Sequence, residues 1–115
     1  MIRLAISCIL LFSCTASAKE IFHQAKIEKI ILDGENYSGC MVFMNPNMTG
    51  SMNCRTDFVS LDCNGAVVNT KTHAKSMLDM AQLAFLLEKS VRLKISDDKL
   101  TTDGFCTANY IRIDK

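Results

Sequence analysis

The chain has 115 residues, of which 49% are hydrophobic, with 13 basic and 12 acidic side chains, six cysteines and no tryptophan. This length supports one small domain with a limited core, so covalent staples matter to its stability. The even charge balance argues against nucleic acid as a partner and against electrostatic attachment to membranes.

Met1 to Ala18 has the form of a cleaved secretory leader. Arg3 is basic, Leu4 to Phe12 is apolar, and Ala16-Ser17-Ala18 ends it with small residues at the cleavage spacing. The apolar run is too short to span a bilayer, and no later run reaches spanning length. A second reading takes Leu11-Phe12-Ser13-Cys14 as a bacterial lipobox, with Cys14 lipidated and the product held at the outer membrane. Either way Cys8 and Cys14 leave the fold, and residues 19–115 form one disulfide-stapled domain, secreted or periplasmic. Removing Arg3 from 13 basic residues leaves 12 against 12 acidic ones, a formal charge of zero.

Ile21 to Leu32 mixes β-branched residues with Lys26, Glu28 and Lys29 and closes at Asp33-Gly34, which predicts a strand and a turn. Tyr37 to Met44 predicts the second strand. Asn45 to Gly50 holds the single proline and predicts a loop. Ser51 to Leu61 predicts the third strand, Asn64-Gly65 a turn, and Val67-Val68 a brief extension of the sheet. From His73 to Lys89 the apolar period becomes helical, with Thr70 or Thr72 as the cap. Met80, Leu83 and Leu87 widen its apolar arc and leave Lys75, Asp79, Gln82 and Lys89 as a narrow polar stripe. So wide an arc implies packing on two sides, against the domain's own sheet and against something else; a few exposed apolar side chains on a small domain would look the same. Val91 to Ile95 alternates strictly, and Phe105 to Ile113 predicts the last strand.

Three strands, a helix and two strands fit an α+β, mainly β fold. The expected form is a small five-stranded Greek-key barrel of the OB kind, with its helix between the third and fourth strands and two disulfides. Another small α+β sheet fold has the same element order.

Cys40, Cys54, Cys63 and Cys106 can pair in three ways. A hairpin centred on Asn47 would place Cys40 opposite Cys54, which leaves Cys63 to bridge to Cys106. Thiols committed to disulfides are removed from catalysis and metal binding. The cysteine spacings match no zinc motif, and His23 and His73 have no partner at ligand spacing. No Gly-x-Ser-x-Gly elbow, His-Glu-x-x-His pair or phosphate-binding glycine loop occurs, and Asp97-Asp98 reads as a solvated turn. The sequence therefore calls for no metal, no cofactor and no enzymatic activity. Asn36-Tyr37-Ser38 and Asn47-Met48-Thr49 have the form of N-glycosylation sequons, informative only in a eukaryotic source. What remains is binding. Barrels of this kind use the loops between strands one and two and between four and five, here Asp33 to Asn36 and Ser96 to Gly104. Exposed Tyr37 or Tyr110, with Asn36, Asn45 and Asn47, would suit a sugar: a ring packs on the apolar side of a pyranose and amides pair with its hydroxyls.

The segment Met77-Leu78-Asp79-Met80-Ala81-Gln82-Leu83-Ala84-Phe85-Leu86-Leu87-Glu88-Lys89-Ser90-Val91-Arg92-Leu93-Lys94-Ile95 resembles the helix-into-strand segment of toxin B subunits. These are the pentameric, glycan-binding subunits of secreted bacterial A–B toxins of the cholera and subtilase-cytotoxin kinds. The resemblance implies an exported barrel with structural disulfides whose helix faces neighbouring subunits around a pore. The cholera-type subunit has an N-terminal cysteine bridged into the sheet, whereas here no cysteine lies between the leader and Cys40. No tryptophan is present to stack on a sugar, so the resemblance assigns no sugar-binding residue. The expected function is a secreted or periplasmic binding module, a glycan-binding oligomer of this type. The alternative is a monomeric periplasmic inhibitor or envelope accessory protein that binds a partner enzyme.

Overall fold

A computed structural model describes residues 17–48 and 52–115. The leader up to residue 16, with Cys8, Cys14 and the lipobox, lies outside these residues, as does Thr49 of the second sequon. Five strands and one helix follow in order: β1 (Glu20–Leu32), β2 (Cys40–Asn45), β3 (Arg55–Ser60), α1 (Lys71–Leu87), β4 (Ser90–Ser96) and β5 (Phe105–Ile113). A short 3-10 turn (Tyr37–Gly39) precedes β2.

The strands close into a barrel in the order β1-β2-β3-β5-β4. Long β1 serves two neighbours: its first half pairs antiparallel with β4 and its second half with β2. A register shift between Ile27 and Lys29 marks the change of neighbour, as a bulge does where a strand must bend around a barrel. β3 and β5 run parallel and close the wall. Alternation is cleanest in β4, where Val91, Leu93 and Ile95 are fully buried and Arg92 and Lys94 face out. Ala25, Ile27, Val42, Met44, Val59, Leu61 and Cys106 complete the interior. This is the expected five-stranded OB-like barrel with one helix between β3 and β4.

Helix α1 packs on β1, β4 and β5. Its inner face carries Ala74, Met77, Ala81 and Ala84, all buried, and the alanines let the helix approach the barrel closely. The Thr70 hydroxyl accepts the His73 N–H at 3.1 Å, which satisfies one of the first-turn donors. Glu88 ends the helix in the left-handed conformation (φ 54°).

Two local expectations are corrected. Tyr37–Gly39 is a 3-10 turn with three consecutive positive φ values, and β2 begins only at Cys40. Val67 and Val68 do not extend the sheet, because their N–H groups bind the Asp62 carboxylate.

The disulfide pairing also differs. The bridges are Cys40–Cys63 and Cys54–Cys106, each with a Cα separation of 5.5 Å. The cause is register. Met41 pairs with Ser60 and Val42 with Val59, so the β2–β3 connection is centred well past Asn47. Continuing that ladder puts Cys40 beside Leu61, whose N–H donates to the Cys40 carbonyl, and Cys63 follows within reach. Cys54 precedes β3, where the pairing of Arg55 with Phe105 brings it to Cys106.

Candidate functional site

The barrel wall at β2, β3 and β5 carries a run of four aromatic rings on its outer side. Phe43 in β2 and Phe58 in β3 have ring centroids 5.3 Å apart. Phe58 meets Phe105 of β5 edge-to-face at 6.3 Å, and Phe105 meets Tyr37 in the same manner at 5.5 Å. Alternation explains the arrangement. Val42, Met44 and Val59 fill the interior, so Phe43 and Phe58 must point outward and meet across the ladder. Phe105 is buried beneath the others, whereas Tyr37, Phe43 and Phe58 are half-buried and present ring surface.

Two rings of the run, Phe105 and Phe43, each carry a cation supplied by a cross-strand neighbour. Arg55 pairs with Phe105 and holds its guanidinium 4.5 Å from the ring centroid. Lys29 pairs with Phe43 and holds its ammonium 5.5 Å above it. Arg55 also forms a 3.2 Å ion pair with Asp57.

Both predicted loops border this surface and are tied together. The Tyr37 N–H donates to Asp103 Oδ2 at 2.9 Å, which links the β1–β2 loop to the β4–β5 loop. The Tyr37 carbonyl accepts the Ser60 hydroxyl at 2.7 Å. Asp33 Oδ1 accepts the N–H groups of Glu35 and Asn36, each at 2.9 Å, and these bonds hold its carboxyl below the ordinary range. Gly39 sits at φ 94° with the Asn64 side chain where a Cβ would stand, so no larger residue fits the turn behind Tyr37. On the far side of the turn, Glu35, Ser38, Asn64, Val67, Lys99 and Leu100 help to line an open cleft of about 460 Å³, polar and apolar in similar measure.

Beneath the cleft lies Asp62, fully buried and in the left-handed conformation (φ 58°). It accepts the Ser38 hydroxyl and the backbone N–H groups of Ala66, Val67, Val68 and Asn69. Burial opposes its ionisation, but the Ser38 hydroxyl and the Val67, Val68 and Asn69 N–H groups together outweigh it and lower its pKa. The carboxylate thus organises residues 62–69 as a turn that braces the loop carrying Tyr37.

The five sugar-contact candidates separate into three groups. Asn36 and Tyr37 lie at the rim of the aromatic run, with the Asn36 amide 3.4 Å from Asp33 Oδ2. Asn45 ends β2 at its opposite end, roughly 17 Å of strand away, and its amide donates to Glu28 Oε1 at 2.8 Å. Asn47 is exposed in the loop beyond it. Tyr110 lies on a different wall, against Phe22. His23 and His73 each bring Nε2 to a backbone carbonyl, that of Pro46 at 2.6 Å and that of Asn109 at 2.8 Å.

The helix residues Met80, Leu83 and Leu87 lie on the side of α1 away from the barrel, at 38%, 52% and 57% exposure. Leu86 beside them is the most exposed large hydrophobic described, at 76%.

Sequence reasoning missed Phe43, Phe58, Phe105, Arg55 and Lys29. The run Cys40-Met41-Val42-Phe43-Met44 is apolar throughout, so it has no alternation to show that Phe43 faces out. The aromatic residues of β2, β3 and β5 meet only through the register. Among the described residues no group of three His, Cys, Asp or Glu could hold a metal ion. No helix there is long and apolar enough to cross a membrane.

No protein-family model, curated protein or solved structure matches the chain.

Proposed function

We propose that the chain is a non-enzymatic binding module of an oxidising compartment, taking a glycan on the aromatic wall of β2, β3 and β5. The observation that carries this reading is the run Tyr37–Phe105–Phe58–Phe43, bordered by the two loops that barrels of this kind use for oligosaccharides. The rings are tilted by 59–86° to one another, so half-buried Tyr37, Phe43 and Phe58 present separate ring surfaces to a sugar instead of one flat platform for stacked bases. Arg55, Asp57 and Asn36 stand near them to meet hydroxyls.

The exposed helix face of Met80, Leu83 and Leu87 supports self-association, in the manner of a toxin B subunit. Large contiguous apolar surface is uncommon on a monomer and common at interfaces. Two intramolecular disulfides suit an exported protein, since such bonds persist outside reducing compartments.

The test is a glycan array with the purified protein, followed by Tyr37→Ala and Phe58→Ala. Each variant should keep the fold and weaken binding about tenfold, equivalent to 1.4 kcal/mol. Multi-angle light scattering reads the assembly. A monomer with no glycan hit favours the alternative, a module that inserts its rigid 33–39 loop into a partner enzyme; the bracing of that loop by Asp33 and Asp103 suits it to such a role.

A further inference from the structure

The barrel wall begins one residue after the bond at which the leader is expected to be cut. β1 starts at Glu20, and its ladder with β4 pairs Glu20 with Ser96. One step further out, the Asp97 N–H donates to the Lys19 carbonyl at 3.1 Å, so the ladder holds Lys19 as well. Ser17 and Ala18 ahead of it are exposed and belong to no element. The small residues Ala16-Ser17-Ala18 place the scissile bond between Ala18 and Lys19. A boundary read from composition and a boundary read from strand pairing therefore fall on the same peptide bond.

Asp97 is placed to receive what such a cut produces. Its Oδ1 accepts the backbone N–H of Lys19 at 2.7 Å, and its Oδ2 accepts that of Asn53 at 2.9 Å. One half-buried carboxylate thus joins the chain ahead of β1, the residues ahead of β3 and the turn after β4, where the sequence alone suggests only a solvated turn. The bond from Lys19, and after it the bond from Asn53, hold the Asp97 carboxyl below the ordinary range. Ser17, Lys19, Met52, Asn53, Asp97 and Asp98 help to line an open cleft of about 420 Å³ at this point. The titratable groups around the Lys19 nitrogen are Asp97, Asp98 and the ε-ammonium of Lys19 itself. Neighbouring Glu20 is taken up by Lys94 at 3.5 Å. In the uncut chain the cleft therefore sets two carboxylates against one ammonium.

We propose that Asp97 is the acceptor for a processed N-terminus: a leader peptidase hydrolyses the Ala18–Lys19 bond, and the new α-ammonium of Lys19 forms an ion pair with the Asp97 carboxylate. Hydrolysis consumes one water and leaves a carboxylate on Ala18 and the ammonium on Lys19. The nitrogen need not move, because it already lies at hydrogen-bond distance from Oδ1. What changes is its charge, from a neutral amide donor to a cation, and charge-assisted hydrogen bonds are the stronger kind. The cleft is then balanced, two carboxylates against two ammonium groups. The cut end thereby fastens the β1–β4 seam and, through Asn53, the segment that carries Cys54. This inference is independent of the glycan reading at Tyr37.

Export of the full chain from a bacterial host, followed by N-terminal sequencing, tests the cut. The product should begin Lys19-Glu20-Ile21-Phe22, and any other start, lipidated Cys14 included, overturns the proposal. Thermal melts test the ion pair. An ammonium whose folded pKa is raised stabilises the fold below its ordinary value of about 7.7–8.0, and this is lost as pH rises through the folded value. The 19–115 chain should therefore melt about 2 °C above a chain that retains Ser17 and Ala18 near pH 6.5, and level with it at about pH 10.5. Asp97→Asn should abolish the difference. Equal melting of the two chains near pH 6.5, or a difference that survives Asp97→Asn, sinks the ion pair. A measurement on the unsubstituted mature protein guards against a variant that fails to fold: after ¹³C-methylation its α-amino group should titrate at higher pH by NMR than in the same protein unfolded in urea. An equal or lower value also overturns the proposal.

Discussion

Asp62 is the residue on which the loop end of the barrel depends. Its two oxygens accept one hydroxyl and four backbone N–H groups, at a site without solvent access. Asp62→Ala strands those donors and should cost on the order of 4 kcal/mol in urea unfolding, among the larger single-residue effects. Its carboxyl, like those of Asp33 and Asp97, has a pKa below the ordinary value. A lowered folded pKa means that the unfolded chain takes up protons first. The stabilisation is therefore complete above about pH 5 and is lost as pH falls through 4 toward the lowered folded values. Unfolding midpoints measured from pH 6 to pH 2 should fall in that window, and Asp62→Asn should flatten the slope. Glu88 offers the converse case. Its φ of 54° lies in the left-handed region that glycine adopts without strain, so Glu88→Gly should raise stability by about 0.5–1 kcal/mol in the same assay.

At the scale of elements, the two disulfides do different work. Cys40–Cys63 closes 23 residues across the start of β2, and Cys54–Cys106 closes 52 and ties the start of β3 to β5. Chain entropy makes the second worth about 0.7 kcal/mol more than the first. Replacing Cys54 and Cys106 by serine should lower the urea midpoint further than replacing Cys40 and Cys63. Helix α1 makes a separate prediction. Leu83 and Leu87 contribute little to the core, so Leu83→Glu with Leu87→Glu should keep the melting temperature within a few degrees, a change under about 1 kcal/mol. If the helix face joins copies, the same variant should reduce the mass measured by light scattering to that of one chain.

At the scale of the whole molecule, composition and placement of charge give different answers. The formal charge of +1 argues against any electrostatic partner, yet the fold gathers several acids, Asp33, Asp97 and Asp103, at the loop end. Net charge governs long-range attraction, whereas docking on a surface depends on the side chains of one face. The two aromatic groups are sorted in the same way: Tyr37, Phe43, Phe58 and Phe105 on one wall, Phe22 and Tyr110 on the other.

The sequence by itself determined the order of elements, the helix and the alternating strand β4, with a closed barrel as the expected fold among those that share this order. Each of those rests on local periodicity, which is written into consecutive residues: Val91, Leu93 and Ile95 face one way whatever lies opposite. It also singled out the Asp33 to Asn36 loop, through turn residues that restrict the backbone locally. The disulfide partners, the four-ring wall and the sorted charges were decided only in the tertiary structure. Each depends on register between strands distant in the chain. A shift of the β2–β3 centre by a few residues exchanges Cys54 for Cys63 as the partner of Cys40 and changes which rings meet.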